Sequence, residues 1–299
     1  MSEEKSMTIY ILGRYDCPRL THCKALISDL ISKNPSFQKV EFITCFETQF
    51  DLYRDELMKE NLSFVNYTYS PIIYLQNEEK KCKKIIGSLE EFQTFLVQNY
   101  NYHDMRQTVD FNEETKQNLK NFLSSNGNKY VYMDFASDDE KEEKYEKVVF
   151  ELFNRDCPLT SENFFETCIG FSNNKGQKVT YENTIIHRVS KNSFIQGGDI
   201  RIDGPKSKYG FDFNDENYNI KHDSFGILGM VKKGNRKHTN ESQFYITLCP
   251  LKSFDGKFVA FGRVIKGYDT IIRIGNVDTD LQRPIVRVYV KKCGEFVIE

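Results

Sequence analysis

Residues 184–200 read TIIHRVSKNSFIQGGDI. Two short runs rich in β-branched and aromatic residues, TIIHRV and SFIQGGDI, stand either side of a polar turn, and the second closes on Gly-Gly-Asp. That pattern predicts two short strands. The same grammar continues outward from Lys129 to the C-terminus: YVYMDF, VVFELF, GILGMV, QFYITL, KFVAFGRV and VRVYVKKC, separated by Asn, Gly, Asp and Lys. Many short strands at this spacing predict a sandwich or barrel. Two helical patches interrupt it. One covers 161–169, led by Pro158-Leu159-Thr160 with Thr160 as its expected N-cap; the other covers 269–274. The run SDDEKEEKYEK at 137–147 has nothing to bury and reads as an elongated solvated hairpin loop, with a basic or tubulin-like partner as the lesser reading.

The first hundred residues read differently. Strand signals at 8–13 (TIYILG), 39–44 (KVEFIT), 70–75 (SPIIYL) and 84–87 (KIIG) alternate with helical patterns at 17–34, 46–61 and 88–100. A β-α-β-α-β-β-α order predicts a small α/β layer domain over 1–100. Residues 101–128 read as a linker with one short helix at 112–123 that ends in the loop signal Ser-Ser-Asn-Gly-Asn. The second domain then spans 129–299.

Composition excludes several classes. At 299 residues and 39% hydrophobic the chain is too apolar to be disordered. A formal charge of −2 gives no overall drive toward nucleic acid or an anionic membrane. No apolar run approaches the ~18 residues of a membrane span. The start MSEEK is neither a secretory signal nor a transit peptide, so a cytoplasmic setting with eight reduced cysteines is expected. With 24 Phe, 17 Tyr and no Trp, the core should be built from Phe with Tyr at its margins. No His/Cys cluster has zinc spacing, so neither metal nor cofactor is expected. His222 and His238 read as surface residues. His187 should point to the opposite face from its neighbour Arg188.

The blocks FELF (150–153), Cys157-Pro158, Glu162-Asn163-Phe164, IHRV (186–189), FIQGGD (194–199), FNDEN (213–217), Gly229-Met230, SQFYI (242–246) and DGK…FG (255–262) occur in order. Together they resemble the cyclophilin family over 129–299. The resemblance implies an eight-stranded antiparallel β-barrel with two capping helices and a groove that binds proline peptides. Cyclophilins rotate X–Pro bonds, whose amide resonance sets a barrier of ~18–20 kcal/mol. An arginine donates toward the prolyl nitrogen and so favours the twisted state over the planar one. Carried over residue by residue, Arg188 matches that arginine and Gln196 its partner glutamine. The pocket departs from the family pattern: Ser193 stands for a Phe, Phe194 for Met, Val231-Lys232 for Ala-Asn, Tyr245 for Phe, Ser253 for Trp, Phe254 for Leu and Phe258 for His. The loop 235–238 is longer than in common members, and Glu241 replaces a glycine. Losing a pocket Phe forfeits ~1.5–3 kcal/mol of burial, and each ~1.4 kcal/mol is tenfold in rate. The extra Phe rings can also fill the notch. Weak or absent isomerase activity is therefore expected, along with poor cyclosporin binding because Ser253 offers no indole N–H.

The first domain resembles the thioredoxin/glutaredoxin fold, with Cys17-Pro18 at a helix start and Ser70-Pro71 where that fold keeps its cis-proline. A second thiol in C-x-x-C spacing is missing, since Leu20 occupies that place. Cys23 lies ~240° around the helix from Cys17. The whole arrangement also resembles a cyclophilin-like family of motile cilia regarded as catalytically inactive. The leading expectation is a scaffold or adaptor that binds other proteins, axonemal or tubulin-associated, in the cytoskeleton. The alternatives are a slow peptidyl-prolyl isomerase and a monothiol redox protein using Cys17.

Overall fold

The computed structural model describes residues 7–35, 37, 39–77, 83–139 and 145–298. The middle of the charged run expected as a solvated hairpin, 140–144, lies outside the described residues. The chain divides into two compact units, Met1–Ser125 and Asn126–Glu299.

In the first unit, strands β1 (Thr8–Arg14), β2 (Val40–Cys45), β3 (Ile72–Gln76) and β4 (Lys83–Gly87) form one sheet in the order β2-β1-β3-β4. β1 runs parallel to β2 and antiparallel to β3, and β3 is antiparallel to β4. Helices α1 (Pro18–Lys33), α2 (Glu47–Glu60), α3 (Leu89–Tyr100) and α4 (Asn112–Ser125) complete the unit. Side chains alternate along β1, so Ile9 and Ile11 pack with Leu26 of α1 and Phe92 of α3, whereas Leu12 joins Phe50 and Leu57 of α2. Both faces of the sheet are thus covered, which makes a three-layer α/β unit. Pro18 opens α1 at a position where its missing N–H costs nothing. The expected linker from 101 belongs, up to Ser125, to this unit. His22 of α1 is bonded through Nε2 to Asp104 Oδ2 at 2.7 Å, and Thr21 Oγ1 meets Thr115 Oγ1 at 2.6 Å. Phe111 stacks on the His22 ring and Phe122 on Tyr15. The polar composition of 101–125 masked these few apolar anchors.

In the second unit, β5 (Lys129–Ser137), β6 (Val148–Leu152), β9 (Arg188–Ser190), β10 (Phe194–Gly197), β11 (Ile227–Lys232), β12 (Asn240–Thr247), β13 (Ala260–Lys266) and β16 (Val288–Glu295) form an eight-stranded curled sheet. Its order is β16-β5-β6-β13-β11-β12-β10-β9, with every neighbouring pair antiparallel. The curl brings the residues just before β9 back to β16, where Ile186 N–H bonds Val288 O and Val290 N–H bonds Thr184 O, each at 2.9 Å. Two-residue strands make small hairpins elsewhere: β7 (Phe171–Ser172) with β8 (Lys178–Val179), and β14 (Thr279–Asp280) with β15 (Arg283–Pro284). Helices α5 (Pro158–Ile169) and α6 (Tyr268–Asn276) pack on the sheet.

Phe164 of α5 lies at the centre of the core, within ring contact of Phe150, Tyr181, Phe244 and Phe261. Tyr is not confined to the margins: Tyr181 and Tyr245 are fully buried. Their hydroxyls are tolerated there because each has a partner, Ser242 O at 2.8 Å for Tyr181 and His222 for Tyr245. Thr160 is not the N-cap of α5. The helix starts at Pro158 behind Cys157, and the Glu216 carboxylate accepts the N–H groups of Leu159 and Thr160 at 3.0 and 2.9 Å. A distant anion at the positive helix end replaces the local cap.

Candidate functional site

Register builds the site. Arg188 of β9 lies directly opposite Gln196 of β10, Gln196 opposite Tyr245 of β12, and Tyr245 opposite Gly229 of β11. Opposed residues share a face, so these four form one row across four strands. Period-two alternation adds Phe194 beside Gln196 and Gln243 beside Tyr245 on that same face.

The exposed Arg188 side chain is held at both ends of its reach. Its Nε donates to Gln282 Oε1 at 2.7 Å, and its guanidinium carbon lies 5.0 Å from the Phe194 ring centre. Gln282 comes from the β14–β15 hairpin, where Leu281 and Gln282 both adopt left-handed φ (46° and 70°). Gln196 is nearly buried and donates through Nε2 to Gln243 Oε1 at 3.0 Å, and the same nitrogen lies 3.1 Å from His187 Nε2. Gln243 Nε2 donates in turn to Asp199 Oδ1 at 3.2 Å. His187 thus reaches the glutamine row from beneath, although it lines a different cavity from Arg188, of about 840 Å³. Its burial holds its pKa below the ordinary imidazole value, against a smaller opposing pull from Asp199.

On one flank of Arg188 the side chains are aromatic. Phe194 lies 5.6 Å from Phe254 and 6.2 Å from Tyr245; Tyr245 lies 5.3 Å from Phe254 and 5.9 Å from Phe258; Phe254 and Phe258 are 4.8 Å apart. Ser193 sits in the β9–β10 turn, its N–H on Ser190 O, and Ser253 is exposed on a 3-10 turn; neither contributes a ring. Beneath the cluster, His222 is fully buried rather than on the surface. Its Nδ1 donates to Asp255 Oδ1 at 2.9 Å, which leaves Nε2 to accept the Tyr245 hydroxyl at 2.6 Å. Bonds from the His222 backbone and ring keep the Asp255 carboxyl below its usual range. Burial, followed by the Asp255 charge, pushes the Tyr245 hydroxyl pKa well up. Gly229 makes room for this arrangement: a Cβ there would sit 2.2 Å from the Tyr245 hydroxyl oxygen. The Tyr245 hydroxyl thus depends on a glycine at position 229.

On the other flank Arg188 opens onto a cavity of about 440 Å³ lined by Gln196, Gln243, Val231, Lys206, Lys233 and Glu241, among others. None of Ser193, Phe194, Tyr245, Phe254 or Phe258 lines it. Lys232 borders it, but its ammonium is buried and bonds Asp215 Oδ2 at 2.9 Å and Tyr218 Oη at 3.3 Å. Burial would raise the Asp215 pKa. Bonds from Lys232, Asn240, the His238 N–H and Tyr218 outweigh it and leave the carboxyl low. The structure therefore brings Arg188, Gln196 and Val231 together around open space and gathers Phe194, Tyr245, Phe254 and Phe258 into a cluster. It leaves Ser193 and Ser253 at the edge. Sequence reasoning missed Gln243, although its place two residues before Tyr245 signalled it. Gln282 and His222 carried no local signal. In the first unit the half-buried Cys17 precedes α1, its thiol 3.3 Å from Ser70 O. Among the described residues every cysteine is a free thiol, and no group of three or more His, Cys, Asp or Glu is placed to hold a metal ion.

A curled antiparallel sheet bearing an Arg–Gln row defines a class, and the comparisons bear it out. Residues 132–295 match the family "Cyclophilin type peptidyl-prolyl cis-trans isomerase/CLD", and the chain belongs to the cyclophilin family. It is 29% identical to a human protein named "Probable inactive peptidyl-prolyl cis-trans isomerase-like 6", over 98% of this chain and 93% of that one. The cattle protein of the same name is 30% identical, over 98% of this chain and 94% of its own length. The mouse NK-tumor recognition protein is 43% identical over half of this chain but 10% of its own length.

Proposed function

We propose that the cyclophilin unit docks peptide segments of other proteins while catalysing X–Pro isomerisation weakly or not at all, so that the chain serves as a scaffold or adaptor. The observation that carries this reading is the side on which Arg188 finds open space. Its cavity is walled by Gln196, Gln243 and lysines, while Phe194, Tyr245, Phe254 and Phe258 pack on one another where a prolyl ring would have to seat. An arginine lowers the rotation barrier only if the prolyl nitrogen lies beneath it in the twisted state. Peptide held on the amide side gains binding without that alignment. The names of the human and cattle relatives, "probable inactive", agree with this reading.

The slow-isomerase alternative draws on one fact, the intact Arg188–Gln196 pair at the cavity mouth. A chymotrypsin-coupled proline-peptide assay separates the two. Docking without catalysis gives rates near the uncatalysed tens to hundreds of seconds, unchanged by Arg188→Ala. Fast turnover lost in Arg188→Ala overturns it.

For the first unit we infer a thioredoxin-like module acting as an adaptor. The β2-β1-β3-β4 order, together with Cys17 at the start of α1 facing Ser70, supports this. The placement in a cytoskeletal, axonemal assembly rests on the resemblance to ciliary cyclophilin-like proteins. Detection of the tagged chain along axonemes tests it, and a diffuse cytosolic signal overturns it.

A further inference from the structure

We propose that the cavity beside Arg188 selects acidic peptide segments, with Lys206 and Lys233 as the side chains that set this preference. The proposal rests on the peptide-docking reading of the same groove and adds the chemistry of the ligand.

The charges on the cavity wall decide it. Besides the buried, paired Lys232, the cations Arg188, Lys206 and Lys233 line the space, with Glu241 as the one carboxylate among the lining residues. Arg188 is bonded to a neutral amide and stacked on a ring, and has no carboxylate partner among the described residues. Lys206 reaches Asp199 at 3.5 Å and Lys233 reaches Asp212 at 3.8 Å; both pairs are long, the first between half-buried side chains and the second with an exposed lysine, and at such separations neither carboxylate neutralises its lysine closely. The loop whose ends, Gly234 and Thr239, also line the cavity carries Arg236 and Lys237, both exposed. The Lys232 ammonium faces Asp215 and adds no free charge. The groove therefore presents several under-neutralised cations around a pair of amides able to bond an extended backbone. Charge complementarity of this kind sets partner choice.

The occupant we commit to is an extended Asp/Glu-rich segment of a partner protein. Fluorescence anisotropy on the full chain tests it with two labelled decapeptides. Each holds one proline, and its flanking residues are Asp and Glu in one and Asn and Gln in the other. The acidic peptide should bind about tenfold more tightly at low salt and lose most of that margin at ~200 mM, as screening predicts. The K206E/K233E double variant should weaken the acidic peptide about tenfold and leave the neutral one within about twofold. Retained binding of the neutral peptide shows that the variant is folded. Charge reversal in the other cavity, Arg283→Glu, should change neither affinity. Equal affinity for the two peptides overturns the acidic preference while leaving the docking reading standing. Failure of both peptides to bind overturns the docking reading too. Loss of the acidic margin in Arg283→Glu places the preference on the wrong cavity and overturns the assignment.

Discussion

The two flanks of Arg188 stand on the same strands and carry opposite chemistry. Phe194 and Gln196 are two residues apart on β10, and Gln243 and Tyr245 two apart on β12. Step one way and the row is aromatic, its rings in contact with one another. Step the other way and it is amides and lysines around open space. The backbone that places the arginine does not decide what the arginine can do; that falls to half a dozen side chains around it. On the docking reading, the guanidinium stays in its row while the side chains around it, and not the strands, set what the groove accepts.

The largest expected effect tests whether the wall of the polar flank is structural. Lys232→Met strands Asp215, whose side chain is almost wholly buried. Breaking a buried pair by removing one partner costs about 3–5 kcal/mol, and the remaining donors to Asp215, from Asn240, Tyr218 and the His238 N–H, should hold the loss near the lower end. The urea midpoint should fall accordingly, and the Lys232→Met/Asp215→Asn pair should recover much of the loss. A shift under ~1 kcal/mol in the single variant would show the pair to be solvated. The aromatic flank is probed next, by rebuilding it. Combining Ser193→Phe, Phe254→Leu and Phe258→His should raise kcat/KM in the proline-peptide assay by about tenfold or more, since ~1.4 kcal/mol suffices for that. No gain would mean that Arg188 itself, held by Gln282, is the limiting element. Tyr245→Phe should cost about 1–3 kcal/mol in the same unfolding experiment, because His222 Nε2 then loses its partner in a buried site.

What could be read from sequence divides along similar lines. The strands, the Arg188–Gln196 pair and the run of Phe substitutions were legible, because they depend on local period and on ordered motifs. The features that were misread all depend on distant partners. Thr160 looked like a cap, but Glu216 provides one from 56 residues away. His222 looked exposed until Asp255 and Tyr245 satisfied both its nitrogens. Lys232 does border the cavity, but nothing local to it signalled that Asp215 takes its charge. Residues 101–125 looked like a linker because a handful of anchors, such as Phe111 on His22, do all the packing in a polar stretch. A buried polar group betrays itself only when its partner is known, and sequence separation hides the partner.

The smallest expected effect is a pH dependence confined to the polar flank. The folded His187 pKa lies below the unfolded value of ~6.5, chiefly through burial. A group so depressed contributes stability that is full above ~6.5 and is lost as pH falls, with a slope of at most ~1.4 kcal/mol per pH unit. Asp215 follows the same sign lower down: its carboxyl is depressed, so its contribution is present above ~3.9 and disappears in stronger acid. Between pH 6.5 and 5 the imidazole should therefore act without the carboxyl. Protonation turns His187 Nε2 from acceptor to donor against the Gln196 Nε2 that now faces it, so the amide must turn and the Gln196–Gln243 bond must re-form or break. Acidic-peptide affinity should fall over that window together with stability, and His187→Asn should flatten both curves. If the wild-type curves are already flat there, His187 is not coupled to the amide row, and the polar flank stays as rigid toward protons as the aromatic one.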